Sequence, residues 1–258
     1  MSWSSLGSQF ALELAFGVLL GLCFMPKAPV GVFFYRLMGA AAAVPLVLAI
    51  ALEVTSGGRW LDPVVLAASC AVLGSTLLAG RAARRLAALL FSCAACGLAL
   101  VATVSRAPEV HGAAQLALAS LSAMATGAVA GGVGLAMVLG HWYLTVPQLP
   151  VSLLVRANRQ TVVAMVSSAV LVVATCLLWS ERFAAARRPL FGPWGLFQLS
   201  ARVVMGILLP LLFAWMAASA LRYQNTRSAT GILYASTVMV LIGAAVSISL
   251  QDSYGVPL

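Results

Sequence analysis

Two charged side chains, Glu13 and Arg202, stand inside stretches of sequence that are otherwise apolar. A charge in the hydrocarbon core of a bilayer is costly unless it is paired or hydrated. Both residues are predicted in the same half of the bilayer, so we expect a buried Glu13–Arg202 pair, with Glu53 as a second candidate partner for Arg202. Such a pair is either a structural link between helices or one wall of a polar pocket.

A second group with possible chemistry lies near the midpoint of the chain, at His141, Trp142 and Tyr143. Histidine titrates near neutral pH, so it can hydrogen-bond to a quinone carbonyl, relay a proton or ligate a metal. Indole and phenol rings belong at membrane surfaces. The sequence therefore predicts either a pocket for a quinone, made by these three residues and Arg156, or interfacial side chains bonded to nearby backbone.

Other cofactor chemistry finds less support. A bis-histidine haem needs two imidazoles on one porphyrin, but His111 and His141 are predicted on opposite faces of the bilayer. Cys93 and Cys96 form a C-x-x-C motif on one face of an apolar helix. Paired thiols serve redox and soft-metal sites, but packing is the favoured interpretation because no loop carries a second thiol pair. No set of nucleophile and base, or of metal ligands, indicates an enzyme complete in itself.

The composition identifies the elements that must position these residues. Of the 258 residues, 62% are hydrophobic and 8% are charged, and the mean hydropathy is +1.04. A soluble domain cannot bury so much apolar surface, so the fold class is all-α, a polytopic integral membrane helix bundle. The net charge of +9 is read as a signal for orientation in the bilayer, and no nucleic-acid partner is expected.

Eight transmembrane spans are predicted from apolar runs long enough to cross a bilayer core. Their approximate bounds are 8–25, 31–53, 62–80, 86–104, 114–140, 161–179, 199–221 and 229–250. The connections Val151–Arg159 and Phe183–Phe197 are expected at the membrane surface, and Gln251–Leu258 is expected to be a short polar tail.

Charge in the connections predicts the orientation. The 1–2, 3–4, 5–6 and 7–8 connections carry nine basic residues and no acidic one, whereas the acidic residues lie on or near the other side. The positive-inside rule then places both termini outside a bacterial cytoplasmic membrane. The nine are Lys27, Arg36, Arg81, Arg84, Arg85, Arg156, Arg159, Arg222 and Arg227.

An internal repeat is a further hypothesis. Leu20-Gly21 with Pro26-x-x-Pro29 matches Leu139-Gly140 with Pro147-x-x-Pro150, in the same order and on the same side. This predicts two parallel four-helix halves, residues 1–112 and 113–258, with the interface between them as a natural place for a site. In the second half, Gly127-x-x-x-Gly131 favours close helix packing and a central position for its helix.

Three functions agree with these patterns. The first is a membrane subunit of an electron-transfer complex that contributes a quinone pocket near the cytoplasmic face and depends on other protein subunits for redox centres. Its four-plus-four layout is similar to that of quinol-oxidising anchor subunits of the polysulfide-reductase type, in architecture alone. The second is a small-molecule transporter, with spans interrupted at Pro45 and Pro210. The third is a non-catalytic scaffold or assembly factor.

Overall fold

The computed structural model describes residues 3–55, 63–106, 110, 112–146, 148–186, 188–255 and 258, with the backbone alone for residues 3–5, 52, 53, 55 and 82. Within these ranges every element of secondary structure is a helix and no strand occurs. His111 and the side chain of Glu53 lie outside the described part, so the expectations that concern them stay predictions.

The helices follow one another with short connections. In the described part of the chain, seven helical runs are long and apolar enough to cross a membrane, and α3, with 16 residues, is a shorter apolar helix. The all-helical fold predicted from the sequence is confirmed, and these helices are compatible with a polytopic membrane bundle, whereas the number of eight spans stays a prediction. The bounds are α1 (Trp3–Cys23), α2 (Gly31–Thr55), α3 (Pro63–Leu78), α4 (Ala82–Ser105), α5 (Ala113–Thr145), α6 (Ser152–Leu178), α7 (Ser180–Ala185), α8 (Pro193–Val203), α9 (Leu209–Arg222) and α10 (Thr226–Tyr254).

Two expected connections and the expected tail are helical over part of their length. The segment Val151–Arg159 is almost entirely the first two turns of α6, because the apolar stems of its arginines let the helix continue while the guanidinium groups reach polar surroundings. The segment Phe183–Phe197 includes the end of α7 and the start of α8. The predicted polar tail begins inside α10, where Gln251 is 1% exposed.

Helices α1 and α5 form the centre of the bundle. Helix α1 packs against α2, α4 and α5, while α5 packs against α1, α4, α6 and α10. Gly127 and Gly131 face α1: a Cβ on Gly127 would overlap the Glu13 carbonyl oxygen, and a Cβ on Gly131 would overlap the Val18 nitrogen. The close packing predicted from the glycine spacing is therefore confirmed, since only glycine permits this backbone approach.

The helices form two sets that meet at this centre. Helices α1 to α4 contact one another in sequence, and α4 returns to α1. Helices α5, α6, α9 and α10 form the second set, which meets the first mainly through the contact of α1 with α5. The proposed sequence duplication of the two halves stays a prediction.

The two prolines expected to interrupt helices behave differently. Pro45 lies inside α2, which continues through it without a break. Pro210 follows a π-helical segment, Val204–Leu208, that joins α8 to α9 in one continuous run. Proline has no N–H and its ring crowds the carbonyl four residues earlier, here that of Gly206, and a π-helical segment accommodates such a conflict. The segment also brings Gly206 against Gly243 of α10.

Candidate functional site

The side chains of His141, Trp142 and Tyr143 point in three different directions. His141 Nδ1 lies 3.4 Å from the Tyr234 hydroxyl on α10. Trp142 points towards α2, donates from Nε1 to the Val30 carbonyl at 3.1 Å and stacks on Phe33. Consecutive residues on a helix are about 100° apart, so these side chains leave α5 in different directions.

Tyr143 takes the third direction. Its hydroxyl donates to the Pro150 carbonyl at 2.5 Å and so ties the end of α5 to the connection with α6. The backbone bonds of Trp142 and Tyr143 are those expected of interfacial side chains that hold connections in place. A ligand-binding role for His141, Trp142, Tyr143 and Arg156 stays a prediction.

Arg156 instead lines a groove between α1 and α6, with α5 as its floor. We call it the lateral groove; its volume is about 590 Å³ and it opens sideways on the surface of the bundle. Its lining is mostly apolar, and apart from Ser167 its polar residues lie near one end. The lining residues are Phe16, Gly17, Leu20, Gly21, Phe24, Leu121, Met124, Ala125, Ala128, Gly132, Arg156, Arg159, Gln160, Thr161, Val163, Ala164, Ser167 and Leu171.

Small residues create the lateral groove. Helices α1 and α6 both pack on α5, and on the side between them α5 presents Ala125, Ala128 and Gly132. These side chains are too short to fill the gap between the two neighbours. From Arg156 to Leu171 the groove follows α6 for about 22 Å at 1.5 Å per residue, which is most of the ~30 Å hydrocarbon thickness of a bilayer.

One end of the lateral groove is basic. Arg156 and Arg159 are exposed and Gln160 is half-buried, where α6 begins and α1 ends. Thr161 is buried, and its hydroxyl donates to the Asn158 carbonyl, so it is already engaged. The arrangement offers hydrogen-bond donors at the membrane surface above a long apolar channel, which suits an amphiphile with a polar head and a long tail.

A second candidate site lies inside the bundle around Arg202, which is 1% exposed. Its Nε donates to the Leu258 carbonyl oxygen at 2.8 Å, and one terminal nitrogen donates to the hydroxyls of Thr126 and Ser168 at 2.9 Å each. The Ser247 hydroxyl donates to the same Leu258 oxygen at 2.5 Å. Three separate parts of the chain therefore hold the guanidinium group, and Ser247 holds one of its acceptors.

Glu13 belongs to the same region and is 2% exposed. It attracts Arg202 electrostatically, but within the described chain the hydrogen bonds of the two side chains go to other groups. Gln9 Nε2 donates to Glu13 Oε1 at 2.8 Å and also to Gln251 Oε1. We call Gln9, Glu13, Arg202 and Gln251 the buried polar cluster. No direct hydrogen bond joins Glu13 to Arg202 in the described part of the chain, so the predicted pair stays a prediction.

The cysteines contribute a smaller feature. The Cys93 thiol donates to the Phe16 carbonyl on α1 at 4.0 Å, while Cys96 is fully buried, and all five cysteines are free thiols. Among the residues that the structure describes, no group of three His, Cys, Asp or Glu side chains lies close enough to hold a metal ion. A redox or metal role for Cys93 and Cys96 stays open.

Sequence reasoning missed several residues of both sites. Gln9 and Gln251 could have been noticed, because Gln9 precedes Glu13 by one helical turn and Gln251 follows a long apolar run directly. Arg159 and Gln160 were placed in or beside a connection, not on the wall of a groove. The groove itself has no sequence signal, since it depends on which helices flank the small residues of α5.

Comparisons of the chain with protein-family models, curated proteins and solved structures give no match. The lateral groove and the buried polar cluster are therefore the features from which we infer a function.

Proposed function

We propose that this protein is an integral membrane subunit of an electron-transfer complex and that its lateral groove binds an isoprenoid quinone. The observation that supports the proposal is the shape and polarity of the groove: a long apolar channel, open to the surrounding lipid, with donors at one end. A quinone moves within the bilayer and has an apolar tail with a head that accepts hydrogen bonds, so its chemistry matches both parts.

The basic end of the groove would hold the quinone head. Arg159 and Gln160 supply N–H donors for its carbonyl oxygens, and Arg156 adds positive charge for a reduced, anionic head. Under the positive-inside rule this end faces the cytoplasm, with both termini outside a bacterial cytoplasmic membrane. Phe16, Phe24 and Met124 then line the path of the tail.

Partner subunits complete the proposal. The connections of this chain are short, so redox centres that exchange electrons with the quinone would belong to membrane or peripheral proteins bound to it. This protein then contributes the quinone site and a place in the bilayer.

The test is to purify the protein in nanodiscs cut directly from its native membrane and to measure quinone, phospholipid, co-purifying proteins and the visible spectrum together. We expect about one quinone per protein and redox proteins in constant ratio. A protein that carries phospholipid in the groove but no quinone, and has no redox partner, would overturn the proposal.

Substitutions locate the bound quinone. The double variant Val163→Trp, Ser167→Trp places two large rings on the lining of the groove, one helical turn apart. The matched control, Val166→Trp, Val170→Trp, has the same spacing on α6 at exposed positions outside the groove. We expect the first variant to lose most of its quinone and the control to keep it.

A second candidate function is small-molecule transport, favoured by the π-helical segment beside the fully buried Arg202. Irregular helical turns next to buried charge occur at the sites of transporters. Alternating access predicts two distance populations between spin labels at positions 24 and 223, at the ends of α1 and α9, in a variant without native cysteines. One sharp distance under all conditions would count against transport.

A further inference from the structure

Eight buried polar atoms have no hydrogen-bond partner among the described residues, and four of them belong to side chains near Glu13 and the end of α10: Gln9 Oε1, Glu13 Oε2, Gln251 Nε2 and Tyr254 Oη. Their side chains are 0%, 2%, 1% and 6% exposed, respectively. A buried polar group without a partner costs about 1–3 kcal/mol. Such groups in folded proteins are usually satisfied by ordered water.

Three of these atoms form one group, because Gln9 joins the other two side chains. Gln9 Nε2 donates to Glu13 Oε1 and to Gln251 Oε1, which fixes the orientation of both amides. The atoms that remain are then two acceptors, on Gln9 and Glu13, and one donor, on Gln251.

The presence of two free acceptors and one free donor indicates which kind of ligand fits. A metal cation would meet the N–H group of Gln251, and an anion would meet the Glu13 carboxylate. A water molecule donates two hydrogen bonds and accepts one or two, so a single water can satisfy all three atoms.

Tyr254 links this group to the molecular surface. It lies one helical turn beyond Gln251 on α10, and it also lines a polar pocket of about 250 Å³ with Arg188, Trp194 and Gln198. The Gln198 amide oxygen is a further buried atom without a described partner. Unsatisfied polar atoms therefore continue from a surface pocket to the interior of the bundle.

We propose that a short file of water molecules runs from this surface pocket past Tyr254 and Gln251 to Glu13, and that Gln9, Glu13 and Gln251 bind its innermost water. The file lies on the side of the membrane opposite to the basic end of the lateral groove. Ionisable groups inside a bilayer that water reaches mark proton or ion pathways. The inference is independent of quinone binding, because none of these residues lines the groove.

Radiolytic footprinting of the native protein in nanodiscs tests the outer part of the file, since hydroxyl radicals form from water beside the side chain. The matched internal control is Tyr35, which is 3% exposed and whose hydroxyl donates to the Met25 carbonyl at 2.5 Å. We expect Tyr254 to be oxidised several-fold faster than Tyr35. Equal, slow oxidation of both tyrosines would overturn the proposed path.

A crystal structure from a lipidic phase at a resolution that shows ordered water tests the inner end. We expect density bridging Gln9, Glu13 and Gln251 in the native protein and no bridging water in Gln251→Leu. Direct pairing of the three side chains, without solvent density in the native protein, would overturn the innermost site. The native structure decides this point even if the variant does not fold.

Discussion

The lateral groove and the buried polar cluster involve the same three helices, α1, α5 and α6, but they differ in exposure and polarity. The groove is open and mostly apolar, with small residues on its floor, whereas the cluster is buried and joins α1, α5, α6, α8 and α10 through hydrogen bonds. The difference separates two roles. Substitutions in the cluster should change the stability of the bundle, whereas substitutions in the groove should change what the protein binds.

The largest effect is expected from Arg202→Leu. The substitution leaves the Glu13 carboxylate buried without its countercharge and breaks hydrogen bonds to Thr126, Ser168 and Leu258. Removal of one of two opposite charges that are buried near each other leaves the other uncompensated, and we expect the free energy of unfolding to fall by about 3–5 kcal/mol. Unfolding in a titration with a denaturing detergent measures this change in the free energy of unfolding.

Two variants sharpen this prediction. Arg227→Leu removes an exposed arginine of α10 and should change the free energy of unfolding by no more than about 0.5 kcal/mol. The double variant Glu13→Leu, Arg202→Leu should be more stable than Arg202→Leu alone, because no unpaired charge remains. A double variant that loses the sum of both single effects would show that the two charges do not interact.

The next effect concerns the centre that both sites share. Gly127→Ala introduces a Cβ against the Glu13 carbonyl oxygen, so α1 and α5 must separate. Overpacking of this kind lowers the free energy of unfolding by about 1–3 kcal/mol. Gly134→Ala, on the same helix with no atom within 4 Å of the new Cβ, should be neutral or stabilising. Equal effects of the two substitutions would rule out the close contact.

A smaller effect tests the interpretation of the aromatic group. Trp142→Phe removes the hydrogen bond to the Val30 carbonyl and should lower the free energy of unfolding by about 1 kcal/mol. Trp215→Phe, at a position 69% exposed, is the control and should have no measurable effect. If Trp142→Phe instead removes bound quinone without a change in stability, Trp142 belongs to a ligand site.

The smallest change in stability is expected in the lateral groove. Val163→Trp, Ser167→Trp alters exposed side chains, so the free energy of unfolding should change by no more than about 0.5 kcal/mol per substitution. The quinone content should nevertheless fall sharply. A large loss of stability in this variant, without loss in its matched control, would show that the groove is part of the packed core.

The sequence predicted those features that depend on local physics. Apolar runs located the membrane helices, the glycine spacing located the closest helix contact, and isolated charges identified Glu13 and Arg202 as members of the interior. Each signal is contained in one segment or in one residue type. The helix start at Ser152 was missed because charge lowers hydropathy without preventing a helix.

Other features could not be predicted because they depend on neighbours in space. The lateral groove exists because α1 and α6 flank the small residues of α5, and no residue type marks that arrangement. His141, Trp142 and Tyr143 are adjacent in sequence, yet the helix directs them to α10, α2 and the following connection. The fold class was therefore easier to predict from the sequence than the candidate site.

The most direct test of the proposed function is photocrosslinking with a quinone analogue that carries a reactive group on its head, in native-membrane nanodiscs, with the labelled peptides identified by mass spectrometry. We expect crosslinks near Arg159 and Gln160 that unlabelled quinone displaces. The double variant Val163→Trp, Ser167→Trp should abolish them. Displaceable crosslinks at His141, or labelling spread over all lipid-facing helices and unaffected by competitor, would contradict a quinone site in the lateral groove.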